Sequence, residues 1–113
     1  MHLVTVGVME LKSMVETYPV AALYVGASTD PVARSMEHES HFPPPVVMYV
    51  AHTSNMNNDE NQLLAKCRNR GGCSYNVQQT SNMLQIPGYV YAVFPFCANV
   101  INPYTVPHST VVI

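Results

Sequence analysis

Apolar positions fall in blocks along the chain, and the spacing within each block indicates the kind of element. The stretch "HLVTVGV" (2–8) is rich in β-branched residues and predicts a first strand. In "MELKSMVETY" the apolar side chains recur at helical intervals and predict a short helix that ends at Pro19. Its inward positions are Leu11, Met14, Val15 and Tyr18. The apolar run "VAALYVGAS" (20–28) predicts a buried second strand.

The middle of the chain carries clearer start and stop signals. Asp30 followed by Pro31 is typical of a helix start, because the aspartate can cap and proline suits the first helical position. This helix is predicted to run to about His41, before the three prolines at 43–45. The run "VVMYVAHT" (46–53) then predicts a third strand.

One more helix and one more strand complete the pattern. The helix is predicted over 58–68, with Asn57 or Asn58 as its cap, and "RNRGG" ends it. Residues 74–86 are polar and irregular, and "GYVYAVFPF" (88–96) predicts a fourth strand.

Strands that alternate with helices predict an α/β (α+β) fold, with a small central, mainly antiparallel sheet flanked by helices. A chain of 113 residues suggests one core. We assign 1–96 to this domain and 97–113 to a C-terminal tail that serves as an edge strand, a docked arm or an interface segment.

Composition limits the kinds of partner that the protein is expected to bind. Charged residues are 11% of the chain, less than half of the usual share, and the net charge is −2, so the protein has no global attraction to nucleic acid or to an anionic membrane. The sequence shows no signal peptide and no apolar run long enough to span a membrane. Three cysteines without zinc spacing indicate a reduced, intracellular protein, cytoplasmic or nuclear. The low charge and the apolar tail "STVVI" predict a homo-oligomer.

Glu60 is the first candidate for chemistry. It shares a helix face with the apolar residues Leu63, Leu64 and Cys67, so it is predicted to point inward. Burying a carboxylate is costly unless it is paired or binds a metal ion. The alternative is a first-turn acid at the rim of the core, where a helix N-terminus favours negative charge.

Two groups of cations are further candidates. Arg34 and His38 share one face of the second helix, where an arginine fork suits a phosphate and a histidine can move a proton. The alternative for Arg34 is a solvated ion pair with Glu37. Three cations at the end of the Glu60 helix are predicted to contact nucleic acid or, alternatively, to complement the helix C-terminus. They are Lys66, Arg68 and Arg70.

Several short motifs occur in a consistent order. "YVG" ends the second strand, Arg34 follows eight residues after Gly26, and His38 comes next; "ENQLL" and "YN" follow later. In this order the chain, from residue 2 to about 94, resembles the GIY-YIG nuclease superfamily. The positions that match are Tyr24, Gly26, Arg34, His38, Glu60, Leu63, Leu64, Tyr75 and Asn76.

The resemblance implies a GIY-YIG-like fold and a metal-dependent phosphodiester endonuclease that acts on nucleic acid. It implies that Glu60 holds a single Mg²⁺ (or Mn²⁺) ion and that Arg34 neutralises the phosphate. Tyr24 would place or activate the attacking water, and Asn76 would brace the site. The alternative is a catalytically inactive protein of this fold with a binding or a structural, self-assembling role.

The first half of the family motif departs from the pattern. The family has Gly-x-Tyr on its first strand, with the tyrosine as general base, and the matching stretch here is "GVM", which puts Met9 at the tyrosine position. Methionine cannot take a proton, so Tyr18 or His38 would have to substitute, or the activity is lost. Two tyrosines of the last strand, Tyr89 and Tyr91, are assigned to packing.

Overall fold

A computed structural model describes residues 1–42, 45–76 and 86–95, together with the backbone of a strand at 110–112. The elements in chain order are β1 (His2–Thr5), α1 (Val8–Thr17), β2 (Tyr24–Ser28), α2 (Pro31–His38), β3 (Val46–Thr53), α3 (Met56–Asn69), β4 (Gly88–Pro95) and β5 (Thr110–Val112). The predicted α+β class is confirmed.

The strands form one sheet in the order β2-β4-β3-β1-β5. Only β1 and β3 run parallel, and the other three neighbouring pairs are antiparallel, so the predicted mainly antiparallel sheet is confirmed. The neighbour of β2 is β4, which places Tyr91 opposite Gly26 on one side and Val50 on the other. Strand β1 lies on the far side of β3 and does not pair with β2 in the sheet.

Each face of the sheet is covered by its own apolar cluster, as alternating side chains in the strands require. Helices α1 and α3 cover one face, where Leu11 and Leu63 pack with Phe94. On the other face Phe42, which follows α2, packs with Met48 and Tyr91. The strand side chains that point to this second face therefore meet the segment that carries α2.

Some element boundaries differ from those predicted. Helix α2 ends at His38 rather than near His41. Helix α3 begins at Met56 because Asn55 is its cap: the Asn55 side chain accepts from the backbone N–H of Asn58. The prediction of Asn57 or Asn58 as the cap was wrong by two or three residues.

The tail supplies one more strand. Strand β5 pairs antiparallel with β1 at the edge of the sheet, which is the edge-strand alternative of the three predicted for 97–113. Most of the irregular segment predicted at 74–86 lies outside the described residues. Within the described ranges, no helix combines the length and the apolar character that crossing a bilayer requires.

Candidate active site

Tyr24, His38 and Tyr91 are in direct contact at the start of β2, and Asn76 bonds to the backbone of the next residue, Val25. Arg34 and Glu60 act on the two tyrosines through their charges, and Glu60 does so from α3, which covers the other face of the sheet. We call these six side chains the tyrosine site. Five of them are the catalytic candidates of the sequence, and Tyr91 is the addition.

A short connection places α2 over β2. Ser28 ends the strand and its hydroxyl accepts from the backbone N–H of Asp30 at 2.9 Å. Asp30 in turn caps α2 through a side-chain bond from the N–H of Ala33 at 3.1 Å. The helix begins only two residues after the strand ends, so Arg34 and His38 are brought back towards Tyr24 at the start of β2.

Tyr24, His38 and Tyr91 form an aromatic triangle. The ring centroids of Tyr24 and His38 are 4.8 Å apart, and the rings of Tyr24 and Tyr91 are stacked at 6.1 Å with 25° between their planes. The Tyr91 hydroxyl lies 2.9 Å from His38 Nε2, which is a hydrogen bond. Burial lowers the pKa of His38, so the ring is neutral at neutral pH.

Arg34 supplies the positive charge of the site. Its side chain is half exposed and, within the described ranges, forms a weak pair with Glu37 at 3.4 Å, which is the solvated alternative predicted for it. Its charge nevertheless reaches the buried groups: burial raises the pKa of Tyr24, Glu60 and Tyr91, and Arg34 lowers each of them. An exposed pair contributes little stability, so the guanidinium is available to an anionic ligand.

Glu60 points inward, as the helix pattern predicts. It is only 9% exposed, and its Oε1 atom is buried with no hydrogen-bond partner among the described residues. Burial raises the pKa of this carboxyl group. The neighbouring acid of the same turn, Asp59, is fully committed, since it pairs with Lys12 at 2.8 Å and accepts from Thr53. Glu60 is therefore the carboxylate that is left open for a ligand.

Asn76 joins the site through the backbone of β2. Its Oδ1 accepts from the N–H of Val25 and its Nδ2 donates to the carbonyl of Val25, both at 2.9 Å. These two hydrogen bonds to an edge strand fix Asn76 next to Tyr24, which agrees with the bracing role expected for Asn76.

Replacing Asn76 by aspartate is expected to destabilise the protein by about 2 kcal/mol, since one bond is lost and a carboxylate would face the Val25 carbonyl. Thermal unfolding in the absence of metal measures this change. Gln62→Glu, at an exposed amide on α3, is the matched control and should change the free energy of unfolding by less than about 0.5 kcal/mol. Equal effects of the two substitutions would contradict the bracing role.

Met9 does not stand in the site. Strand β1 ends at Thr5, Gly7 is the N-cap of α1, and Met9 is a helical residue that is 72% exposed. The stretch "GVM" therefore lies at the start of α1 and not on the first strand, where the family motif stands. Tyr18, one predicted substitute, is buried against Tyr49 and Phe94 on the opposite face of the sheet.

Tyr91 was assigned to packing from the sequence, and that assignment missed its hydroxyl. The residue is 1% exposed, but it bonds His38 and stacks on Tyr24. The alternation of Tyr89 and Tyr91 could not separate them, since both point to the same face of β4. The signal that could have found Tyr91 is the pairing of β4 with the "YVG" strand, because this pairing places Tyr91 opposite Gly26.

The predicted basic group lies at the other end of α3 and is partly committed to α1. Lys66 pairs with Glu16 at 2.6 Å, and Arg70 donates to the carbonyl of Val15 at 3.3 Å. Arg68 is exposed in the last turn. These contacts are with α1, which neither predicted alternative described, and the contact with nucleic acid stays a prediction.

A scan against protein-family models, a search of curated proteins and a search of solved structures each found no match for this chain. Over the part of the chain that the structure describes, no three His, Cys, Asp or Glu side chains are placed to share a metal ion. Any ion at the tyrosine site would have Glu60 as its single acidic ligand among these residues.

Proposed function

We propose that the protein is a metal-dependent phosphodiester endonuclease of the GIY-YIG kind that acts on nucleic acid. The observation that carries the proposal is the open Glu60 carboxylate, which is buried and interacts through its charge with Arg34 and Tyr24. The sequence gives the same residues for the same roles, and the contact of His38 with Tyr24 together with these charge interactions supports the resemblance.

The donor set fits a hard cation such as Mg²⁺ or Mn²⁺. A buried carboxylate oxygen without a partner is costly, and a divalent cation would satisfy it. Glu60 would hold the ion, with water and phosphate oxygens as the other ligands. When bound, the ion supplies positive charge to the phosphate and to the leaving oxygen.

The side chains of the site have the remaining catalytic roles. Arg34 binds the phosphate oxygens and neutralises the charge that grows in the transition state. Tyr24 orients the water, and its phenolate form takes the water proton as the water oxygen bonds to phosphorus and later returns that proton to solvent. The bond from phosphorus to the leaving oxygen breaks, that oxygen takes a proton from solvent, and the products are a phosphate monoester end and a free hydroxyl.

The test is nicking of supercoiled plasmid by the whole chain with Mg²⁺ or Mn²⁺, stopped by EDTA. Replacing Arg34 by alanine is expected to lower the initial rate by about 10²- to 10³-fold, as for loss of one transition-state donor. Met36→Ala is the matched control, since Met36 lies two residues along the same helix and is exposed.

Two results would reject the nuclease. Cleavage by Arg34→Ala at the wild-type rate would assign the activity to a contaminant or another surface. Absence of cleavage by folded wild type would leave the alternative, a binding or self-assembling protein of this fold. The scarcity of cations and the exposed Met9 and Met36 side chains favour that second candidate.

A further inference from the structure

We propose that Tyr91 is the positioning residue for the Tyr24 hydroxyl, so that β4 supplies the second tyrosine that the start of the chain lacks. The inference rests on the proposed function and adds a residue and a chain order to it. In the family pattern the first strand carries that tyrosine. Here the strand that follows α3 carries it.

The sheet order gives the reason. Strand β4 lies between β2 and β3, and antiparallel pairing sets Tyr91 opposite Gly26, two residues beyond Tyr24. Gly26 has no side chain, which lets the Tyr91 ring lie across the backbone of β2. A Cβ atom on Gly26 would be 2.5 Å from the Tyr91 hydroxyl oxygen and 3.0 Å from Tyr24 Cε1. The glycine between the two tyrosines thus makes room for their stacking.

The polar contacts have a direction. The interaction of the two hydroxyls lowers the pKa of Tyr24 against the larger effect of burial, and it adds to the burial that raises the pKa of Tyr91. In the proposed arrangement Tyr91 donates its one proton to Tyr24. Tyr91 then accepts at its 2.9 Å contact with His38, whose Nε2–H tautomer is the donor.

The proposed line of donors runs from His38 Nε2 to the Tyr91 hydroxyl and from there to Tyr24. The last acceptor is the Tyr24 oxygen, which takes the proton of the attacking water in its phenolate form. A donor aimed at that oxygen fixes its position and favours its charged form. Tyr91 itself is buried and has no role in contact with substrate, which makes it a positioning residue.

The experiment compares Tyr91→Phe with Tyr89→Phe. Both residues lie on the same face of β4, and Tyr89 contacts His52 rather than the tyrosine site. Tyr91→Phe is expected to lower kcat by roughly 10- to 100-fold with little change in KM, as is usual for groups that orient a reacting side chain. Tyr89→Phe should leave both constants at the wild-type values.

A second measurement does not depend on cleavage activity. In the metal-free protein the side-chain NMR signal of His38 Nε2 is expected to move in Tyr91→Phe and to stay in Tyr89→Phe. Should Tyr91→Phe fold poorly, His38 tests the same line: His38→Ala lowers kcat, and His38→Gln, which keeps an N–H donor, recovers part of it.

The outcomes separate the two proposals. Wild-type kcat in Tyr91→Phe, or equal losses in His38→Ala and His38→Gln, would overturn the positioning role and leave the nuclease standing. An unmoved His38 signal would also overturn it. Absence of cleavage by wild type would remove the proposed function and this role together.

Discussion

Glu60→Gln is expected to lose metal-dependent cleavage by about 10³-fold or more, since an ion at the site contributes several kcal/mol of charge stabilisation. Glutamine keeps the size of the side chain but is a far weaker ligand for a hard cation. The plasmid assay with Mg²⁺ measures the loss. Glu16→Gln is the control, because Glu16 is an exposed helical glutamate that pairs with Lys66.

The same substitution is expected to make the metal-free protein more stable. Burial raises the pKa of Glu60 above its unfolded value, so the folded state disfavours the ionised form. The cost is therefore largest above the folded pKa, and it disappears as the pH falls below the unfolded pKa of about 4.3. Glu60→Gln should therefore raise the free energy of unfolding at pH 7, because it removes a charge that the folded state disfavours, and should gain nothing in the acid range.

Urea unfolding in EDTA at neutral and acid pH checks this sign. Glu16→Gln should show no gain, because its Lys66 partner lowers the pKa of Glu16 and the ionised form is favoured. A Glu60→Gln protein that is less stable than wild type at pH 7 would mean that a partner of Glu60 holds its charge, and the open ligand site would be disproved. Loss of activity together with gain of stability is the result that a structural role of Glu60 would not produce.

The local elements of the fold could be predicted because their signals are local. Asp30 and Pro31 start α2 where expected, and the inward face of α3 carries Glu60 as the helical spacing requires. Because only two residues connect β2 to α2, the candidate His38 contacts Tyr24, and Arg34 acts on Tyr24 through its charge. Short connections leave few arrangements, and a sequence is informative there.

The order of strands in the sheet could not be predicted in the same way. The family motif led us to match "GVM" to the first family strand, but that stretch begins α1, and β1 pairs with β3 and β5 rather than with β2. Pairing between β2 and β4 depends on contacts more than 60 residues apart, from Gly26 to Tyr91, and no local pattern reports it. For this reason Met9 was assigned a role that it cannot fill, and Tyr91 was overlooked.

Gly26→Ala is the second large effect that we expect, in both stability and activity. The new methyl group would lie 2.5 Å from the Tyr91 hydroxyl oxygen and 2.6 Å from its Cζ atom, and the buried ring has little room to move. Overpacking of this kind costs about 1–3 kcal/mol. The ring would be pushed from Tyr24 and His38, so cleavage falls as well. Thermal unfolding and the plasmid assay measure the two losses.

Gly7→Ala is the matched control, because a Cβ atom on Gly7 would have its nearest contact at 3.9 Å, to Glu10. It should cost less than about 1 kcal/mol, the scale of an N-cap change. A double-mutant cycle identifies the cause: if Tyr91 is what the methyl group meets, Gly26→Ala should cost clearly less in a Tyr91→Val background. The same cost in both backgrounds would place the demand for glycine in the backbone of β2 itself and separate Gly26 from the tyrosine pair.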